Sequence, residues 1–179
     1  VPYVYGVKHK DDTVRMNSQS GGIFTAVSDY VLDKGGVVYG ARFRDHFVVC
    51  HKRAADKEER DEFRGSKYVQ SDLDDIFLMV KDDLDLGKEV LFSGTPCQTA
   101  GLKLYLKKSN TDVNKLLLCD IICLGTPSPK IWANFVDFME RKYGGEVHEA
   151  KFRNKMFGLR AHRATFVINN KMYESDVYA

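Results

Sequence analysis

Two short loops carry the same tripeptide beside a cysteine: Gly94-Thr95-Pro96-Cys97-Gln98 and Cys123-Leu124-Gly125-Thr126-Pro127-Ser128-Pro129. Each follows an apolar run of strand length. Pro96 suits the first helical position, which puts Cys97 in the first turn of a helix. A thiol there is favoured as thiolate and is competent as metal ligand or nucleophile. The plainer account of Cys97 is a small residue filling a strand-to-helix turn. If the two strands are neighbours, Cys97 and Cys123 leave the sheet at one edge, and two converging thiolates suit a metal cluster. Cys119 shares a face with Cys123 on a period of two and reads as core, and Cys50, in a hairpin strand, reads as structural.

Ser18-Gln19-Ser20-Gly21-Gly22 opens into the apolar-periodic run Ile23 to Leu32, which Gly35-Gly36 closes. Small residues at a helix start let backbone N–H groups approach a phosphate, the serines add hydroxyls, and the helix dipole favours an anion. The same residues also make an ordinary helix start, with Ser20 as cap and the glycines as turn. Arg64-Gly65-Ser66-Lys67-Tyr68 groups two cations with an aromatic ring. Its charges suit hydrogen bonds to an anionic cofactor. A solvated loop between helices is the alternative.

The elements that must position these loops follow from periodicity. Val37 to Phe43 and Phe47 to Lys52 read as a hairpin around Arg44-Asp45-His46. Tyr3 to Lys8 predicts a short strand, Asp11-Asp12 a turn, and Asp56 to Phe63 a charged helix. Asp72 to Leu86 predicts a helix with Leu73, Ile76, Phe77, Val80 and Leu84 on one face. Glu89 to Ser93, Thr99 to Lys107, Lys115 to Ile122 and Lys130 to Tyr143 then alternate strand and helix, the order of a parallel sheet. Val147 to Phe152 and Ala164 to Ile168 read as strands, with Arg153, Lys155, Arg160, His162 and Arg163 as a basic patch. The expected fold class is α/β: a mixed, largely parallel sheet flanked by helices, with a small N-terminal α+β lobe. Residues 1–86 form the N-terminal part of this core and 87–179 its C-terminal βαβα part, which ends at Tyr173 to Ala179 without a cap, as a truncated chain would.

A net charge of +2 without a dense basic block gives no reason to expect nucleic acid or an anionic membrane as partner. No run of about 18 apolar residues exists, so no membrane span is predicted. Four cysteines in a chain of 179 residues, long enough to bury a core, read as reduced thiols of a cytoplasmic protein.

Together the loops resemble the family of coenzyme F420 hydrogenase/dehydrogenase beta subunits. The matching pieces are Ser18 to Ala26, Gly36 to Ala41, Arg64 to Ser71, Phe92 to Gln98 and Cys123 to Pro129, in family order along almost the whole chain. The resemblance implies an FAD-binding core that passes electrons between a 4Fe-4S cluster and coenzyme F420 or another hydride carrier, beside a ferredoxin-like module or redox subunit. It implies FAD contacts from Ser18, Ser20, Gly21, Gly22 and Thr25 to the pyrophosphate, from Arg64, Gly65, Ser66, Lys67 and Tyr68, and from Gly94, Thr95 and Gln98. Cys97 and Cys123 become cluster ligands, in a cluster expected to be absent or incomplete in this chain alone. One position departs from the family pattern: Leu124 stands where His is common, and Leu neither ligates nor transfers a proton.

Two other classes compete. A thiol-nucleophile transferase or hydrolase would use Cys97 with a histidine base, yet His9, His46, His51, His148 and His162 lie in no matching motif. A non-catalytic module would keep the fold without its cofactors and dock on a partner.

Overall fold

A computed structural model of the chain describes residues 2–158 and 163–176. Its main sheet is built by both halves of the sequence. β1 (Val37–Phe43) and β2 (Val49–Ala54) form an antiparallel hairpin, turned by a single 3-10 turn at Asp45–Phe47. β3 (Val90–Gly94) and β4 (Leu116–Asp120) run parallel to β1, giving the order β2-β1-β3-β4. Two of the three pairings are parallel, the mixed α/β arrangement that alternating strands and helices predict.

Alternation along β1 and β3 decides which helix lies where. Val37, Tyr39, Val90 and Phe92 point to one face, where Ile76, Val80 and Leu84 of α4 (Ile76–Asp85) and Leu102 and Leu106 of α5 (Pro96–Lys108) cover them. Val38 and Leu91 point to the other, against Val31 and Leu32 of α2 (Ile23–Leu32) and Phe63, which follows α3 (Lys57–Asp61). A fully buried side chain of this size stabilises by about 1.5–3 kcal/mol, so the two faces supply most of what holds the loops in place.

The smaller lobe is C-terminal, where an N-terminal one was expected. β5 (Val147–Lys151), β6 (Arg163–Ile168) and β7 (Lys171–Asp176) form an antiparallel sheet against which Trp132, Val136 and Met139 of α6 (Pro129–Tyr143) pack. Periodicity alone does not announce β7. Its turn is Asn169-Asn170, both with positive φ (50° and 59°), the conformation that two-residue hairpins require and that Asn tolerates. Arg160 and His162 of the expected basic patch, and the last residues of the chain, lie outside the described residues.

Three other expectations change. Tyr3 to Lys8 forms no strand: Tyr3, Val4 and Tyr5 are exposed, and no strand among the described residues pairs with them to complete a ladder. The Asp11-Asp12 turn is instead the start of α1 (Asp12–Asn17), because the Asp11 carboxylate accepts the Thr13 and Val14 N–H groups. The helix expected from Asp72 begins only at Ile76. Asp72 is held extended by β2, its N–H donating to Val49 O and its carbonyl accepting from His51 N–H.

Candidate functional site at the C-terminal edge of the sheet

Gly22 begins α2 in the left-handed region (φ 79°), and no side chain caps the first N–H groups. The hydroxyl of Ser18 is turned away, donating to Val14 O at 2.7 Å, while Ser20 is exposed. A Cβ on Gly21 would stand 2.7 Å from the Val7 carbonyl oxygen, and the Gly21 carbonyl accepts the His9 N–H. Gly21 is therefore fixed by the chain's own residues 7–9, and its replacement by valine would push that segment away. The basic segment after β5 closes on the same loop. Lys155 Nζ donates to the Ser20 carbonyl at 3.0 Å and to Arg15 O, and Gln19 donates to Arg153 O. Burial, and then the nearby Arg15 charge, pull the Lys155 amine below its ordinary value.

Thr25 is buried inside α2, where its hydroxyl accepts from Arg64 Nε at 3.2 Å. Arg64 also pairs with Asp61 at 2.9 Å. Lys67 Nζ donates to the carbonyls of Glu62, Arg64 and Gly65, each at 3.2 Å, and lies 5.7 Å from the Phe43 ring centroid. Both cations are thus engaged inside the protein. Gly65 takes φ 82° in open space, and Ser66 is half-buried. Tyr68 packs edge-to-face with Phe152 and accepts from Arg153, tying this loop to the smaller lobe.

Burial pushes the Lys67 amine down to about 8. The native form then releases its proton near pH 8, whereas an unfolded lysine holds it to about 10.4. Between those values the unfolded state binds more protons, so Lys67 makes stability rise with pH. Urea unfolding at pH 8 and pH 10 should show this rise, and in Lys67→Met the rise should shrink.

Cys97 and Cys123 leave the same edge of the sheet. β3 and β4 are adjacent and parallel in register Gly94↔Asp120; Cys97 is the second residue of α5, and Cys123 lies three residues beyond β4. Cys97 is exposed with Sγ 3.1 Å from the Thr95 hydroxyl; Cys123 Sγ accepts the Gly125 N–H at 3.4 Å. β4 stops at Asp120, short of the expected Ile122, so Ile121, Ile122 and Leu124 lie exposed outside the strand, with Cys123 half-buried among them. Cys119 packs beside the α2 face of the sheet, where burial pushes its thiol up. Among the described residues, no group of three or more His, Cys, Asp or Glu side chains is placed to hold a metal.

His51 is the residue that motif and spacing pass over. It is buried beneath the β3–α5 turn, stacked on Phe92 with ring centroids 5.3 Å apart. Its Nε2 lies 3.0 Å from Ser93 O and its Nδ1 3.0 Å from Ser71 Oγ. Ser71 accepts from Gln98 Nε2 at 2.8 Å, and Gln98 Oε1 accepts the Thr95 N–H at 3.0 Å. Gly94 lies inside this turn, with room for no Cβ: one would stand 2.8 Å from the Phe92 ring and 3.1 Å from Gln98 Oε1. An open cleft of about 610 Å³, lined by Arg44, Gln70, Asp72 and Pro129 among others, runs beside Ser71.

The structure therefore groups the candidate residues into two neighbourhoods. Ser18 to Gly22 faces Lys155 and Arg153, whereas Gly94, Thr95, Gln98 and Cys97 share a turn held by Ser71 and His51. Thr25 and Arg64 join α2 to the loop that holds Lys67 and Tyr68. Both ring nitrogens of His51 are taken, so it offers no free base to Cys97.

Family comparison agrees along both halves. The family model for the N-terminal part of the coenzyme F420 hydrogenase/dehydrogenase beta subunit matches residues 4–77, and the model for its C-terminal part matches residues 87–177. Among solved structures, a chain of the xenon-derivatised F420-reducing NiFe hydrogenase complex from Methanosarcina barkeri is similar, with a TM-score of 0.66 and 19% identity. That likeness covers 96% of this chain and 59% of the other, and it shows a shared fold. No curated protein sequence matches. No helix among the described residues is long and apolar enough to cross a membrane.

Proposed function

This chain belongs to the coenzyme F420 hydrogenase/dehydrogenase beta-subunit family, and from that premise we propose that it is the FAD-binding core of an electron-transfer oxidoreductase. The observation that carries the cofactor is the start of α2, whose first N–H groups have no side-chain cap and whose preceding loop is held by Lys155 at the Ser20 carbonyl and by Gln19 at the Arg153 carbonyl. A helix start with a cation beside it suits the FAD pyrophosphate. Ser20, Gly21 and Gly22 would hold it from the loop and Lys155 from the smaller lobe. Thr25 and Arg64 act one layer beneath, keeping α2 against the 62–68 loop. Bound flavin supplies hydride and single-electron transfer, which side chains alone do not.

Cys97 and Cys123 would be two ligands of a 4Fe-4S cluster at the sheet edge, the others coming from outside the described residues. Electrons would pass to coenzyme F420 or another hydride carrier, and to a ferredoxin-like module or redox subunit. Leu124, fully exposed in the Cys123 loop, carries no proton, so any proton transfer belongs elsewhere.

Fluorescence titration with FAD and with riboflavin tests the pyrophosphate assignment, since riboflavin lacks phosphate. The protein should bind FAD at least about tenfold more tightly, the value of one to two charge-assisted hydrogen bonds. Lys155→Met should remove most of that preference and leave riboflavin affinity unchanged. Equal affinities in the unsubstituted protein would sink the assignment.

A further inference from the structure

The hydrogen bonds around His51 admit one direction only. Just before β3 the Glu89 carbonyl accepts from Val37 on the β1 side, and at its end the Gly94 carbonyl accepts from Ile121 on the β4 side, so the backbone groups of odd-numbered residues face β1. The β1–β3 ladder ends at Tyr39↔Phe92, which leaves the Ser93 carbonyl looking past β1 toward β2. A carbonyl can only accept, so His51 Nε2 must carry a hydrogen. Gln98 is oriented by its other end: its Oε1 takes the Thr95 N–H, so its amide nitrogen donates to Ser71. The Ser71 hydroxyl, having accepted, donates to His51 Nδ1, which is therefore unprotonated.

We propose that His51, as the neutral Nε2–H tautomer, is the positioning residue of the β3–α5 turn that carries Cys97, acting through Ser71 and Gln98. The chain of hydrogen bonds runs from the Thr95 N–H through Gln98, Ser71 and His51 to its final acceptor, the Ser93 carbonyl, and each donor satisfies the next group. A second proton on His51 would make Nδ1 a donor and turn the Ser71 hydroxyl hydrogen out of its bond, breaking the relay at that step. The groups around the imidazole disfavour that proton. Lys67 brings a positive charge from the 62–68 loop, and β3 brings the Phe92 ring and the Ser93 carbonyl. The Asp72 carboxylate on the adjoining segment is committed to Arg44 and to the Asp74 N–H. Burial, foremost, holds the imidazole below its ordinary value. This assignment is independent of any cofactor.

Two-bond imidazole spectra of 15N-histidine protein test it, with His51→Gln identifying the resonances. At pH 7 His51 should show the neutral Nε2–H pattern; the Nδ1–H tautomer or an imidazolium would overturn the proposal. In Gln98→Glu the new carboxylate accepts from Ser71 as well as from Thr95, so Nδ1 loses its donor and His51 should become an imidazolium, although residue 98 does not touch it. An unchanged His51 spectrum in that variant would overturn the relay. Ser71→Ala guards against a misfolded Glu variant. It should shift Nδ1 and speed Thr95 amide exchange at least tenfold, and unchanged Thr95 exchange would overturn the positioning role.

Discussion

Replacing Asp83 by alanine is expected to cost about 3–5 kcal/mol, a large share of the roughly 5–15 kcal/mol that holds an ordinary domain folded. Asp83 is buried in α4, and its carboxylate accepts from Tyr39 Oη at 2.6 Å, Arg53 Nε at 2.6 Å and Lys88 Nζ at 2.8 Å. Those partners belong to β1, β2 and the turn before β3, so one carboxylate fastens α4 to two strands and to the turn that leads into a third. Alanine would leave the Tyr39 hydroxyl orphaned in the core and two cations without their counter-charge. Asp83→Asn keeps the shape but still loses the charge, and should fall between wild type and Asp83→Ala. Urea unfolding at pH 7 reads both, and a loss under about 1 kcal/mol in Asp83→Ala would show that the cations simply turn to water.

The same group sets an acid limit. Burial raises the Asp83 carboxyl, but the hydrogen bonds from Arg53, Lys88 and Tyr39 outweigh it and bring the value down to about 2. An unfolded aspartate titrates near 3.9. The unfolded chain thus takes up its proton first as pH falls, and about 2 kcal/mol of stability drains away between pH 4 and pH 2. His51 acts in the same sense at higher pH. Its depressed native value means that the unfolded imidazole protonates first, so stability also declines as pH drops below about 6.5. Above pH 7 both contributions are complete.

How far the sequence reveals this molecule depends on the reach of each interaction. β3 and the start of α5 are legible because their signals are local. An apolar strand is followed by Thr95-Pro96, and Gln98 stands three residues after Thr95 to complete a capping box. Val37 and Tyr39 announce by alternation the face on which α4 and α5 lie. His51 announces nothing, because its partners Ser71 and Ser93 stand 20 and 42 residues away and only folding brings them together. Lys155 likewise reads as one more cation in a basic stretch until its segment closes on Ser20, 135 residues distant. Tyr3 to Lys8 fails in the opposite direction: local alternation promises a strand, but no strand among the described residues pairs with it. Lys67 and Arg64 read as free cations, yet each finds carbonyls or a carboxylate within a few residues, a detail of loop conformation that residue type does not specify.

The second large effect is expected at Arg60, which is buried to 2% exposure and stands beneath α2. Its guanidinium pairs with Asp29 at 2.8 Å and Asp61 at 2.9 Å, and donates to the Thr25 carbonyl at 3.1 Å and to the Ser28 hydroxyl. Four acceptors around one guanidinium match the forked donors of arginine, whereas lysine offers a single compact charge. Arg60→Met fills much of the volume but leaves the Thr25 carbonyl and Ser28 hydroxyl without this donor, and should cost about 3 kcal/mol. The loss sits at the lower end of that range because Asp29 and Asp61 are 30% and 44% exposed and can turn to water. Arg60→Lys should recover less than half of it, since one ammonium cannot reach all four groups. The functional consequence follows from position: the same helix that Arg60 holds begins at Gly22, where the pyrophosphate is assigned, so its first turn loosens when its middle is released. FAD affinity should therefore fall in Arg60→Met by more than riboflavin affinity does, at a temperature where the protein remains folded. Parallel losses for the two ligands would mean that Arg60 supports the fold alone, and unchanged stability would mean that its buried hydrogen bonds are matched by water in the unfolded chain.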